Sequence, residues 1–338
     1  MALDVKVKID LNKPIGNMSY SCPLILVVEG ADVTDKGYVE CKTLDNVISV
    51  GYTNTSNAYK TASLMLSQNN APSKFAIVNC ATGKETETIG KCLKYDWRQL
   101  VVVLEGETSK PAATLVKTIS DYVETTDRMY FCSVSATSDI SKLTKANDRT
   151  VVFYYTDTAK VCPEAAIVGA SAGLNAGSFT YKNLIINNVE PLELSDTEIE
   201  STHTAGAITI VSKAGDNVLT EGKVLSGEYI DIIDSKDFVI KNISYKTQKV
   251  FNTADKVPYD NNGIAMLESA TIDVMREAYN NGIIATNEDG TPAYTVSFAL
   301  RSATTEADRK ARIYPYGSFS FVLAGAIHYA EITGEITM

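Results

Sequence analysis

Between Pro23 and Gly173, short apolar runs alternate with stretches of helical character, and this rhythm limits the available folds more than any other feature of the chain. The runs Leu24–Val28, Phe75–Val78, Leu100–Leu104, Met129–Val134 and Val151–Tyr155 are strand-sized. Between them, Ser56–Gln68, Glu85–Leu93 and Pro111–Glu124 have helical spacing or good helix formers. The last is expected to carry Pro111 in its first turn, with Leu115, Val116, Ile119 and Val123 on one face. Strand–helix–strand spacing predicts an α/β fold, a parallel or mixed sheet covered by helices.

A second region runs from about Ala207 onward. Ile208–Ser212 and Asn217–Val224 read as a strand pair turning at Ala214-Gly215-Asp216. Two long helices should follow. Ile233, Ile240, Ile243 and Val250 mark the first, and Ile264, Leu267, Met275 and Ala278 the second, with Asn281-Gly282 as its stop. After a turn at Asp289-Gly290 come a strand at Tyr294–Leu300, a charged helix at Thr305–Arg312 and final strands.

Both extremities alternate with period two, the mark of a strand with one buried face. Leu3, Val5, Val7, Ile9 and Leu11 interleave with Asp4, Lys6, Lys8 and Asp10. Ala326, His328, Ala330, Ile332, Ile336 and Met338 interleave with Tyr329, Glu331, Thr333, Glu335 and Thr337. Two readings stand side by side. The segments are edge strands of the chain's own sheet, or they are arms lent to neighbouring subunits.

The chain has 338 residues, enough for about two domains. Its 45% hydrophobic and 21% charged content is that of a soluble globular protein. No apolar run approaches the roughly 18 residues that span a bilayer. Charges inside the N-terminal apolar pattern exclude a signal peptide, so synthesis in a cytoplasm is expected. A net charge of −10 argues against nucleic acid or an anionic membrane as main partner. The six cysteines lack metal-like spacing and read as reduced and structural.

Gly169-Ala170-Ser171-Ala172-Gly173 fits the G-x-S-x-G pattern of a nucleophile elbow, which gives an alternative reading as an α/β serine hydrolase using Ser171. The base would have to be His203 or His328, the chain's two histidines. The motif lies in an alanine- and glycine-rich run, Pro163–Ala176, better suited to a tightly packed helix. No dinucleotide or P-loop motif occurs, and no cofactor is implied. Asp260-Asn261-Asn262-Gly263 and Asp289-Gly290 read as turns, and Trp97 as a packing residue. Glu198 with Glu200, and Asp231 with Asp234, read as solvated faces or helix caps.

Several stretches in the second half are similar to contractile tail sheath proteins. They are Asn175–Lys182, Glu221-Gly222-Lys223, Ser226–Asp231 leading to Asp237-Phe238, and Val257-Pro258-Tyr259 with Gly263, Glu277 and Asn281-Gly282. The ending, Ala307-Asp308-Arg309 with Arg312 and then Leu323–His328, resembles the same family, as does Ser63–Asn79. The resemblance implies a structural subunit that stacks as hexameric rings around an inner tube, with baseplate and terminator proteins as further partners. It implies assembly in a bacterial cytoplasm followed by release as a phage or bacteriocin particle.

On this reading the chain divides into an N-terminal arm at 1–20, an α/β domain at 21–205, an α+β sheath domain at 206–325 and a C-terminal arm at 326–338. Leu3, Val5, Val7, Ile9, Leu11, His328, Ala330, Ile332 and Ile336 become inter-subunit arm residues. Arg309, Lys310 and Arg312 become contacts to an acidic tube surface.

Overall fold

The computed structural model describes residues 22–31, 33–106 and 110–333. In order, the elements are β1 (Leu24–Glu29), β2 (Val39–Cys41), α1 (Leu44–Ser49), α2 (Asn57–Leu66), β3 (Phe75–Ala81), α3 (Glu85–Cys92) and β4 (Gln99–Leu104). Then come α4 (Ala113–Glu124), β5 (Met129–Val134), α5 (Thr137–Ile140), β6 (Thr150–Tyr154), α6 (Glu164–Ser171) and α7 (Asp196–Ala205). The remainder comprises β7 (Ile210–Lys213), β8 (Asp216–Leu219), α8 (Ile230–Thr253), α9 (Asn261–Asn280), β9 (Tyr294–Phe298), α10 (Glu306–Ala311) and β10 (Gly317–Phe321).

Six strands form one sheet in the order β2-β3-β1-β4-β5-β6, parallel except for β2. This is the expected mixed α/β sheet. Strand alternation divides its side chains between two cores. Ile25, Val27, Phe75, Val101 and Phe131 face α2 and α6; Leu24, Leu26, Val78, Val102 and Tyr130 face α3 and α4. The anticipated one-faced helix is α4, burying Val116, Ile119 and Val123. Pro111 does not open it: Ala112 takes the extended cap position, and the buried proline precedes the cap.

The β7–β8 hairpin is shorter than expected at both ends. Its upstream residue Ile208 leaves the hairpin to bridge Phe153 on the open side of β6, through Ile208 N–H to Val152 O at 2.9 Å and Tyr154 N–H to Ile208 O at 2.8 Å. Downstream, Val224 N–H turns to Glu228 O. Ala214 and Gly215, both at positive φ, make the two-residue turn. The hairpin's Ile210 and Leu219 lie in the same core as the sheet.

Helix α8, at about 1.5 Å per residue, is roughly 36 Å long and reaches two cores. Ile230 and Ile233 join the core beneath the sheet, whereas Phe238, Val239 and Ile243 pack with Val274, Met275 and Ala278 of α9. Between these anchors lie Asp234 and Asp237, both buried. Arg98 Nη2 is 2.7 Å from Asp234 Oδ1, and its Nη1 is 2.5 Å from Asp237 Oδ2. Arg149 adds a second guanidinium on Asp237, with Nη2 3.0 Å from Oδ1. Asp234, read from sequence as a solvated or capping carboxylate, is corrected by this finding: it sits on the apolar stripe of α8 as a buried ion-pair partner.

Burial pushes the Asp237 carboxyl up, but Arg98 and Arg149 outweigh it and hold the group below its ordinary range. A carboxyl lowered by folding contributes stability above the unfolded value, near 3.9, and loses it as pH falls through the folded value. Asp237→Asn is therefore expected to cost about 3–5 kcal/mol at neutral pH by leaving two guanidiniums short of a partner. Urea unfolding should show that deficit, and the gap to the parent should close as the pH falls below about 4.

Candidate assembly surfaces

Strand edges distinguish the two halves of the molecule. On the large sheet one edge is the three-residue β2, bearing Glu40, and the other is covered by Ile208. β8 is flanked by Ile186 N–H to Asn217 O at 2.9 Å, and β7 by Leu192 N–H to Ile210 O at 3.0 Å. The β9–β10 ribbon differs. It has two antiparallel strands, and among the described residues neither bonds to a third strand along its length. Tyr294, Val296, Phe298, Phe319 and Phe321 are half-buried on its inner face, next to the α8–α9 core. Thr295, Ser297, Ser318 and Ser320 form an exposed polar outer face. An isolated two-stranded ribbon is marginal in water.

The chain leaves this ribbon through Val322 and Ala324, tied by Val322 N–H to Ala293 O and Ala324 N–H to Ile283 O, both 2.9 Å. Beyond them it runs along the surface without strand pairing as far as 333. Ile327, Tyr329 and Ile332 are 90%, 85% and 93% exposed. Of the expected arm residues, Ala330 and Ile332 lie in this exposed stretch. His328 lies against the chain's own body instead, with Nε2 2.9 Å from Thr180 Oγ1. Leu3, Val5, Val7, Ile9, Leu11 and Ile336 lie outside the described residues.

Helix α10 carries the basic cluster. Its cap Thr305 accepts from Asp308 N–H at 3.1 Å. Arg309 Nη1 donates to Thr304 O at 2.5 Å, and Lys310 Nζ pairs with Glu306 at 2.8 Å. Arg312, at φ 59°, ends the helix in the left-handed region. Lys310 and Arg312 are exposed and Arg309 half-buried, beside Leu300 and Ile313, each 57% exposed.

The hydrolase alternative fails on geometry. Ser171 ends the wholly buried helix α6, and its hydroxyl lies 3.0 Å from Ile167 O, as a donor, and 3.1 Å from Gln99 Nε2. Neither histidine joins it: His203 Nε2 meets Thr220 Oγ1 at 2.8 Å, and His328 meets Thr180. Small residues serve close packing here, for a Cβ on Gly169 would stand 2.2 Å from Met65 O. Trp97 is buried and donates from Nε1 to Cys92 O at 2.8 Å. All six cysteines are free and buried. Among the described residues no His, Cys, Asp and Glu cluster is arranged to hold a metal, and no helix is long and apolar enough to cross a membrane.

Residues 230–336 match the family model for the C-terminal domain of tail sheath proteins like gp31 of E217. The matched segment takes in α8, α9 and the β9–β10 ribbon. The fold extends the likeness to nearly the whole chain. The contracted helical sheath of the anti-feeding prophage superposes with a TM-score of 0.72 at 12% identity, covering 98% of each chain. The contracted sheath complex of the extracellular contractile injection system PVC gives 0.70 at 14% identity, covering 98% of this chain and 97% of that one. The sheath tail protein of Desulfitobacterium hafniense gives 0.58 at 9% identity, over 87% and 93%. No curated protein sequence matches the chain. The matched structures are of sheath proteins and sheath complexes, and the likeness to them is one of fold.

Sequence reasoning misses two features of this chain. One is the Arg98–Asp234–Asp237–Arg149 cluster, whose signal is two carboxylates set among Ile230, Ile233 and Phe238 at core spacing. The other is the partner of His328, for which nothing near position 180 gives a signal. Ser171→Ala is expected to lower unfolding free energy by about 1–3 kcal/mol, the loss of the bond to Ile167 O and of the one accepted from Gln99. A fluorophosphonate probe should label the parent and the variant equally little; selective labelling of the parent would restore a nucleophilic serine.

Proposed function

We propose that the chain is the subunit of a contractile tail sheath. Copies stack as hexameric rings around an inner tube and contract to drive that tube through a target cell envelope. The observation that carries this reading is the unpaired β9–β10 ribbon. Its inner face is apolar and its outer face polar, and the terminal segments have the same alternation. A segment carrying Leu3, Val5, Val7, Ile9 and Leu11 would extend the apolar face beside Val296 or Phe319 and set Asp4, Lys6, Lys8 and Asp10 beside the serines and threonines. This is β-augmentation, with backbone bonds for affinity and alternate side chains for register. The arms on this reading are Met1–Lys13 and Ile327–Met338, donated to neighbouring subunits.

The energetics suit the task. Each added backbone hydrogen bond stabilises by roughly 0.5–1.5 kcal/mol, and a strand's worth plus a buried apolar face makes a link that survives while bodies rotate. Contacts to the tube must break. Exposed pairs from Arg309, Lys310 and Arg312 to an acidic surface, each about 0–1 kcal/mol, are directional and separable. Baseplate and terminator proteins complete the partners. Assembly takes place in a bacterial cytoplasm, and the finished particle, phage or bacteriocin, acts outside.

Deleting Met1–Asp10 should leave the thermal melt of the body within a few degrees of the parent while abolishing tubes in electron micrographs; normal tubes from the truncated chain would refute strand donation. Reversing Arg309, Lys310 and Arg312 together to glutamate should leave sheath–sheath assembly intact and reduce co-sedimentation with the tube. Unchanged co-sedimentation would remove these residues from the tube contact.

A further inference from the structure

His328 is a half-buried side chain in an otherwise exposed run. Ile327 before it and Tyr329 after it are 90% and 85% exposed, whereas the imidazole is 15% exposed. The last backbone tie to the body is Ala324 to Ile283, after which Gly325 turns at φ 65°. Past that turn, the imidazole supplies the next polar contacts to the body. Nε2 lies 2.9 Å from Thr180 Oγ1, Nδ1 lies 3.7 Å from Glu221 Oε1, and the Tyr229 ring meets it edge-on with centroids 5.0 Å apart.

The Thr180 hydroxyl can donate or accept, so Nε2 finds a partner in either tautomer, while the ring's other nitrogen faces Glu221.

The surrounding charges come from five parts of the chain. The loop around 180 supplies Lys182, 3.4 Å from the other Glu221 oxygen. The segment after β8 supplies Glu221 and Lys223, the latter over the Tyr229 ring at 4.8 Å. α8 supplies Asp231, while α7 supplies Asp196 and His203 and the end of β7 Lys213. Glu221 thus offers one oxygen to Lys182 and one to His328.

We propose that His328 is the anchor of the C-terminal arm, a latch fixing where the arm leaves its own subunit. The inference rests on the strand-donation reading and refines it. Residues through 328 move with the body, and the segment free to pair with a neighbour begins at Tyr329. The latch sits where the large sheet's body meets the α8–α9 unit, since the groove it closes is lined by Phe179, Tyr229 and Asp231 on one side and Gly282, Ile283 and Leu323 on the other. An arm rooted there transmits motion of the joint to the neighbour that holds its far end.

The test is the backbone order of residues 325–333, read as ¹⁵N relaxation order parameters in the full-length chain. The parent should hold body-like order through 328 and lose it from Tyr329 onward; His328→Ala should carry the loss back to Gly325, and His328→Gln, which can still bond Thr180, should keep it near 328. Coil-like order at 325–328 in the parent, or an unchanged profile in His328→Ala, would overturn the anchor. If the Met1–Asp10 deletion abolishes tubes while 325–328 are coil-like in the parent, the anchor alone is wrong; if the truncated chain forms tubes, the strand-donation reading is wrong whatever the order profile.

Discussion

Backbone N–H and C=O groups along a strand need partners, and the whole arrangement of this chain turns on where it supplies them and where it does not. The large sheet is closed off by its own sequence: a short charged strand on one side and Ile208 on the other. The hairpin beside it is flanked by chain segments on both sides. Among the described residues the β9–β10 ribbon has neither cover. An open, flat edge invites uncontrolled pairing, and the strand donation proposed above would give this one an occupant whose alternation matches its apolar face.

Two separate cores in one chain keep a fixed arrangement only if something ties them together. α8 does this by contributing apolar residues to two cores and by planting two carboxylates between them. Desolvating Asp234 and Asp237 is costly, and hydrophobic replacements of similar volume are often as stable. What the charges add is register, because the Arg98 and Arg149 guanidiniums accept α8 in one rotation only. Close backbone contact strengthens the same joint: Gly177, at φ 86°, packs so near that a Cβ there would stand 2.3 Å from the Ile283 side chain.

Much of this fold is legible in the amino-acid sequence. The five central strands, the three flanking helices and the long pair α8–α9 all follow from apolar runs and 3.6-residue spacing, because each buries a continuous stripe. What escapes is non-local. Val39–Cys41 is too short for a period to show, and α7 is mostly polar and reads as loop although Ser195 and Glu198 form a capping box. The hairpin is shorter than its apolar pattern because Ile208 pairs with a strand 55 positions earlier in the chain. Asp234 reads as solvated because a carboxylate's default surroundings are water, and only the arrival of Arg98 from another element reverses that. The basic residues of α10 and the alternation of the tail are visible as patterns, yet pattern alone says nothing of what they meet.

The most direct test of the account is an electron cryo-microscopy reconstruction of the assembled particle, resolved well enough to trace the main chain through β9 and β10. The account predicts that the ribbon gains strands from other copies, with residues near Val7 and Ile332 hydrogen-bonded along its edges. A map in which both segments pair only within their own polypeptide, or in which the ribbon stays two-stranded in the lattice, would contradict it.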